Sequence, residues 1–452
     1  MNPLTNIKSI YFIGIGGIGM SALARYFNTQ GVKVSGYDKT PTPLTDDLVK
    51  EGIQIHFEDD LTQIDREATV IVYTPAIPSD HKELNYYKDK GYNVVKRSDV
   101  LQWVTENAFT IGIAGTHGKT TTTSMTAHIL RHTGYGCNAF LGGIASNYGT
   151  NFWSHEKNVV VVEADEYDRS FLKLAPNVAV VTAVDPDHLD IYGTADEVLK
   201  AFGQYTDKIK PDGVLIQKYG TVFPVNKEHK EVFTYAYNEP KASFHTSDLK
   251  VIDGSYQFDL VHPKGIVNNV VLNMGGLHNV ENATAAMAIA LQLGIDENKI
   301  KEAVASFQGV KRRFEFKIKT PNKVLIDDYA HHPEELNALI SGVRSLYPNE
   351  KMVLVFQPHL YSRTQDQASG FIEVLSKADE VILLPIYPAR ELPIPGVSSE
   401  ILLDKMTVAT KTVMSKEQLF DWAANTHDKL IVMAGAGDID ACITKVKEIF
   451  SK

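Results

Sequence analysis

Cysteine is nearly absent. The two that occur, Cys137 and Cys442, lie far apart and form no Cys-x-x-Cys. That excludes a disulfide framework and a cysteine zinc site, and makes a reducing, cytoplasmic setting the expected one. Long apolar runs are missing as well: no stretch reaches the ~18 residues of a membrane-spanning helix, so no span is expected. The apolar segment Ile10–Met20 has no signal-like cleavage site, and its glycines mark a strand and turn. Positive charge is in deficit, with 45 Lys and Arg against 55 Asp and Glu and a net charge of −10. Such a field does not hold a nucleic-acid backbone, so no nucleic-acid partner is expected, whereas a local basic pocket for a small polyanion stays compatible with it. Low-complexity tracts and fixed-period repeats are also lacking, which excludes fibrous and disordered classes.

What remains is globular material in 452 residues, enough for about three domains at ~150 residues each. Short apolar runs alternate with helical stretches, the mark of βαβ units and mostly parallel sheets. Strands are expected at Ile10–Ile13, Val32–Tyr37 and Thr69–Tyr73, then at Thr110–Ala114, Val159–Glu163 and Val178–Val184, then at Lys323–Ile326, Lys351–Phe356 and Lys429–Ala434. Helices are expected at Ser21–Gln30, Lys119–His132, Ala195–Ile209, Asn279–Leu293 and Pro333–Leu346. Between Lys218 and Val271 shorter β segments are expected, with Asp253-Gly254 as a turn. Breaks near Thr105–Phe109 and Arg313–Asn322 divide the chain into residues 1–106, 107–317 and 318–452. The expected architecture is α/β with three domains in series.

Several motifs carry chemistry. Gly14-Ile15-Gly16-Gly17-Ile18-Gly19 fits GxGxxG between a strand and a helix, with Asp38 ending the next strand. A tight turn, close backbone approach and free N–H groups at a helix start suit a pyrophosphate. Packing alone also produces such turns, and the motif does not say which nucleotide. Gly115-Thr116-His117-Gly118-Lys119-Thr120-Thr121 stands in P-loop context, although Ile113 occupies the position of the first P-loop glycine. Its backbone suits phosphates, Lys119 the terminal phosphates and Thr120 a Mg²⁺ ion. Glu163, in Glu163-Ala164-Asp165-Glu166-Tyr167-Asp168 after four valines, is placed to ligate that metal rather than to decorate a solvated loop.

His188, within Asp185-Pro186-Asp187-His188, suits a metal or substrate contact, though a loop histidine is commonly only that. Asn279 reads as a helix N-cap, and Asn279 and Asn282 also suit an adenine edge. Lys311-Arg312-Arg313 is ordinary solvated charge unless it faces the nucleotide, where one arginine clamps the moving phosphoryl group. Asp327-Asp328-Tyr329 and the segment Gln357–Thr364 sit at strand ends, where open sheets place ligands. His128 and His132 share a helix face with no accompanying carboxylate and read as structural.

Taken in order, GIGGIGMSALA, GTHGKTTTT, EADEYD, DHLDIY, GLHNVENATAA, RRFE, DDYAHHPEE, FQPHLYSRT and YPARELPIPG span almost the whole chain. Together they resemble the Mur ligases of peptidoglycan synthesis, most of all the member that adds the first amino acid. The resemblance implies a Rossmann-like N-terminal domain for the UDP-sugar, a central P-loop ATPase domain and a Rossmann-like C-terminal domain for ATP and amino-acid contacts. It implies ATP and Mg²⁺ as cofactors, with UDP-N-acetylmuramate, L-alanine and ATP as partners, and a monomer or weak homodimer. ATP then phosphorylates the lactyl carboxylate, and the amine of L-alanine attacks the acyl phosphate.

Residue by residue, the resemblance gives Lys119, His188 and Arg313 catalytic roles. Gly115, Thr116, His117, Gly118, Lys119, Thr120, Thr121, Asn279, Asn282, Arg313 and Asp328 contact ATP, with Asp328 on the ribose. Thr120 and Glu163 hold one Mg²⁺ and His188 a second. Gly14, Gly16, Gly17, Ile18, Gly19, Asp38, Thr74, Ala76 and His117 meet the UDP-sugar, and Tyr329, His359 and Arg363 the amino acid. Leu360 departs from relatives that carry arginine there, and Lys200 falls short of the position of the family's carbamylated lysine, so no carbamate is expected. The alternatives are a ligase adding a whole tripeptide to the same UDP-sugar, an NAD-dependent oxidoreductase built on the first glycine motif, and a non-catalytic nucleotide-binding module.

Overall fold

The computed structural model describes residues 4, 7–185, 189–225, 231–389 and 391–451, and for 189–190 the backbone only. Three sheets carry it. The first contains β1 (Ser9–Ile13), β2 (Lys33–Tyr37), β3 (Gln54–His56), β4 (Val70–Tyr73) and β5 (Val94–Lys96), all parallel, in the order β3-β2-β1-β4-β5. The order reverses beside β1, so its C-terminal end opens onto the crevice where such sheets bind ligands.

The second sheet holds β6 (Phe109–Ala114), β7 (Asn138–Ala145), β8 (Thr150–Trp153), β9 (Val159–Glu163), β10 (Val178–Val181), β11 (Val214–Lys218), β12 (Glu231–Ala236), β13 (Phe244–Ile252), β14 (Ser255–His262) and β15 (Gly265–Leu272). Their order is β15-β14-β13-β12-β11-β10-β6-β9-β7-β8. The third holds β16 (Glu315–Lys319), β17 (Val324–Asp328), β18 (Met352–Phe356), β19 (Glu380–Leu383), β20 (Thr410–Val413) and β21 (Leu430–Ala434), in the order β16-β17-β21-β18-β19-β20. Its central strands, Met-Val-Leu-Val-Phe and Leu-Ile-Val-Met-Ala, are buried at every position, as covered parallel strands are.

The helices that bear on function are α1 (Ile18–Thr29), α2 (Pro43–Lys50), α3 (Lys82–Asp89), α4 (Arg97–Glu106), α5 (Lys119–His132), α6 (Leu189–Tyr192), α7 (Ala195–Asp207), α8 (Leu277–Gln292), α9 (Glu297–Ser306), α10 (Pro333–Leu346) and α11 (Tyr361–Asp366). No helix among the described residues is long and apolar enough to cross a membrane. The α/β expectation holds, and α5, α10 and β9 match their expected spans residue for residue.

Four details differ. The strand expected through Val184 ends at Val181, because Thr182–Asp185 turns back onto the loop after β6. The β7–β8 hairpin was not anticipated, since its Gly142-Gly143 pair masks the strand pattern. β16 occupies part of the stretch read as linker and pairs antiparallel with β17. Asn279 is not an N-cap: α8 begins two residues earlier, at Leu277, and the Asn279 carboxamide donates back to the Gly275 carbonyl at 2.7 Å.

The chain divides into two compact units. One comprises residues 1–248, 258–270 and 281–307, the other 249–257, 271–280 and 308–452. Within the first, α1 is buried on nearly every face, which a helix packed on one sheet alone is not. It lies on its own sheet and also on the β7–β8 hairpin, where Tyr26 meets Phe140 and Phe152 at ring distances of 5.6 and 6.1 Å. The polar centre of this seam is Asn151. Its amide donates to Ile18 O (2.6 Å) and Ser21 Oγ (2.9 Å), while its oxygen accepts from buried Arg25, whose other face forks onto Glu51. Asn151→Leu strands an N–H of buried Arg25 and removes two further hydrogen bonds, so it should destabilise the folded protein by about 2–4 kcal/mol. A lowered urea midpoint checks this; an unchanged one refutes the network's structural role.

Candidate active site

In the first unit β6 and β9 are parallel neighbours with Ile113 opposite Glu163, so the turn after β6 and the carboxylate ending β9 emerge side by side. The Gly115–Gly118 turn leads into α5, whose N-cap Gly118 takes the left-handed conformation. Thr120 Oγ1 donates to Glu163 Oε1 at 3.1 Å, which brings the two expected metal ligands together. Gly142 makes the space: a Cβ there would lie 2.0 Å from Glu163 Oε2. Lys119 Nζ donates to Gly115 O (2.6 Å) and to Oε1 of buried Glu166 (2.7 Å). The Tyr192 hydroxyl donates to Glu166 O at 2.6 Å and fixes that loop; burial pushes the Tyr192 phenol up to about 12, so it stays a donor at neutral pH.

Thr116 Oγ1 donates to Asp185 Oδ2 at 3.1 Å, and the exposed His117 ring stands 3.8 Å from the same carboxylate. Asn282 Oδ1 accepts from Thr122 Oγ1 at 3.2 Å, beside Gly118 of that turn. Thr121 is buried on α5. His188 lies outside the described residues. Among the described residues no three His, Cys, Asp or Glu side chains converge as a metal cage. The donors present still fit Mg²⁺: one hydroxyl and one carboxylate oxygen, hard ligands of the kind that leave positions for substrate phosphates. Exposed Lys200 pairs with Glu197 on α7 at 2.7 Å.

The GxGxxG turn is closed largely by bonds to its own backbone and to the end of β2. Gly14 and Ile15 N–H bond Tyr37 O, Gly17 N–H bonds Gly14 O, and Asp38 Oδ2 accepts from Gly16 N–H at 2.7 Å. Asp38 therefore braces the turn. The donors left are those of the first turn of α1, Ile18, Gly19 and Met20, since the helical ladder begins with Ser21 N–H on Gly17 O. A cavity of about 300 Å³ opens there, bounded by Gly17–Met20, Thr74, Arg97, Phe140–Gly142, Glu163 and Asp165. Ala76 N–H, one turn on from β4, bonds Thr74 Oγ1 at 3.2 Å.

The second unit gathers the other expected residues at the ends of β17 and β18. Asp328 Oδ2 accepts from Phe314 N–H (2.6 Å) and Oδ1 from Ala330 N–H (2.7 Å), and Arg313 is exposed nearby. Tyr329 is exposed and meets His331 edge-on at 5.2 Å; His331 meets His359 at 6.1 Å, and His359 stacks on Tyr387 at 5.7 Å. Arg363 Nη1 lies 3.3 Å from His359 Nδ1. Burial, with Arg363 and His331 adding to it, holds the His359 imidazole below its ordinary range and so neutral. Leu360 has φ +70°, a strained setting for a branched side chain, and its N–H bonds Tyr387 O at 2.9 Å.

Three family models match in chain order: the Mur ligase family catalytic domain over residues 9–108, the Mur ligase middle domain over 113–290 and the Mur ligase glutamate ligase domain over 312–437. The chain belongs to the Mur ligase family. The curated UDP-N-acetylmuramate–L-alanine ligase of Parabacteroides distasonis is 48% identical over 99% of this chain and 98% of its own. That of Porphyromonas gingivalis strain W83 is 48% identical over 98% and 99%. Among solved structures, the UDP-N-acetylmuramate-alanine ligase of Thermotoga maritima superposes with a TM-score of 0.81 at 26% identity, over 98% of both chains. A murein peptide ligase from Psychrobacter arcticus gives 0.65 at 21% identity over 98% and 99%, a likeness of fold.

Within this Mur ligase, reading the sequence passed over Arg97, Gly142 and Glu166. Each left a signal: Arg97 follows a parallel strand directly, Gly142 interrupts one, and Glu166 sits three residues after Glu163 at the end of β9. Histidine 128 is structural, as expected. Its Nε2 meets Ala303 O at 2.9 Å, and burial drives its imidazole down to about 4.

The C-terminal unit carries a pH signature. Burial raises Asp327 to about 7 against Arg312 and Lys317, and raises Asp328 to about 6 against its backbone donors, from an ordinary 3.8. The folded chain thus keeps protons that the unfolded chain has released, and these groups erode stability as pH climbs from about 4 to about 7. The fall in urea midpoint between pH 5 and pH 7.5 should be smaller for Asp327→Asn than for wild type. Equal falls would contradict a proton-holding Asp327.

Proposed function

We propose that this Mur ligase joins L-alanine to the lactyl carboxylate of UDP-N-acetylmuramate at the expense of ATP, a step of peptidoglycan precursor synthesis. The observation that carries the reading is the Lys119, Thr120 and Glu163 constellation on the turn after β6, within a chain 48% identical along its length to ligases of that name. The terminal phosphoryl group of ATP lies at the start of α5, where the Lys119 ammonium neutralises the charge that builds on its equatorial oxygens. Thr120 and Glu163 would hold Mg²⁺, which supplies charge neutralisation between the phosphates. A carboxylate oxygen of the lactyl group attacks the phosphorus, ADP leaves, and an acyl phosphate forms. The amine of L-alanine then adds to the acyl carbon, and the tetrahedral intermediate expels phosphate as the amide forms.

In this reading Glu166 keeps the Lys119 side chain extended before ATP arrives, and the phosphates replace it as partner. In this proposal His117 and His188 are assigned to the acyl end, Asn279 and Asn282 to the adenine, Asp328 to the ribose and Arg313 to the phosphates. Tyr329, His359 and Arg363 receive the amino acid, with Arg363 on its carboxylate. The neutral His359 leaves that pocket less cationic than a charged ring would.

The test is release of ADP and phosphate with Mg-ATP and UDP-N-acetylmuramate, adding L-alanine, glycine, L-serine, the tripeptide or nothing. Turnover favouring L-alanine, with a product heavier by one alanyl residue, is expected. Turnover with the tripeptide alone moves the assignment to a tripeptide ligase, and silence with every acceptor contradicts a ligase. Lys119→Ala should lower kcat about 1,000-fold or more while UDP-sugar binding persists; loss of UDP-sugar affinity in a folded variant contradicts separate sites for the two nucleotides.

A further inference from the structure

We infer that Arg97 is the side chain that grips the diphosphate of the nucleotide-sugar, an inference that rests on the function proposed above. Arg97 is the first residue of α4, and its side chain enters the cavity of about 300 Å³ between the first turn of α1 and the Glu163 strand end. Among the described lining residues it is the one cation, against the carboxylates of Glu163 and Asp165. Its guanidinium is packed onto Gly19: a Cβ at that position would lie 2.8 Å from Arg97 Nη1. A side chain at the third glycine of GxGxxG would push the guanidinium aside, so Gly19 lets the fork lie next to the first-turn N–H groups of α1. Because Asp38 and Tyr37 occupy the N–H groups of the glycine turn itself, the grip on an anion falls to those first-turn donors and to Arg97.

In the structure Arg97 Nη2 faces Asp165 Oδ2 at 3.7 Å, beyond hydrogen-bond range and with both side chains partly exposed. Such a pair is weak. A diphosphate offers the planar fork two oxygens at closer range and takes Asp165's place. Asp165 lies on the loop that carries Glu163 and Glu166, so arrival of the nucleotide-sugar removes one tie between Arg97 and that loop.

Calorimetric titration of the full chain with UDP-N-acetylmuramate, UDP and uridine, beside Mg-ATP, tests this. Arg97→Ala should weaken UDP-N-acetylmuramate and UDP by about 10- to 100-fold and leave uridine and Mg-ATP unchanged. Arg97→Lys, which keeps the charge and the packing stem, should recover only part of the loss and serves if the alanine variant does not fold. UDP binding equal to wild type in a folded Arg97→Ala variant overturns the inference. A uniform loss that includes uridine and Mg-ATP overturns it too, since that is a structural defect. Wild-type protein that binds neither UDP compound contradicts the proposed function itself, a result separable from failure of Arg97 alone.

Discussion

The site depends on one register. β6 and β9 run parallel with Ile113 opposite Glu163, so a carboxylate arrives at the level where α5 begins and meets the Thr120 hydroxyl. A slip of one residue would turn the Glu163 side chain to the other face of the sheet. The sequence protects this alignment with Val159–Val162, buried on both faces. It clears room for the carboxylate with Gly142 on the adjacent strand. Lys119 is then held by Glu166, three residues beyond Glu163, so one strand end supplies partners for both Lys119 and Thr120.

The first unit joins two sheets through few elements. Asn151 ties α1 to the β7–β8 hairpin, and the ion pairs Lys173–Asp99, Lys96–Asp168 and Arg97–Asp165 link α4 with the loop that follows β9. Partly exposed ion pairs of this kind contribute little energy each. Their value is positional: they lie beside a cavity whose walls are the start of α1 and the end of β9. A substrate that carries its nucleotide at one end and its reacting carboxylate at the other needs that arrangement.

The central motifs were legible because each is local. Gly115–Thr120 needs only a strand, a turn and a helix in sequence, and α5 and β9 fell where the apolar pattern put them. The β7–β8 hairpin was not legible, since its pairing partners are chosen by the sheet edge and its glycines lower the strand signal. Arg97 and Glu166 looked like ordinary surface charge, because what distinguishes them is the cavity and the lysine they face. The bond from Gly16 N–H to the Asp38 carboxylate, which braces the glycine turn, was not legible either, since it depends on how the ends of β1 and β2 meet. Asn279 looked like a helix cap from its type and place, yet the helix starts two residues earlier.

The central claim is that this P-loop site activates a carboxylate by phosphorylation. UDP-N-acetylmuramate labelled with ¹⁸O in the lactyl carboxylate, turned over once with Mg-ATP and L-alanine, tests it most directly. The released phosphate is expected to carry one labelled oxygen by mass spectrometry, since the acyl phosphate breaks between carbon and that oxygen. Amide product formed with unlabelled phosphate would contradict it.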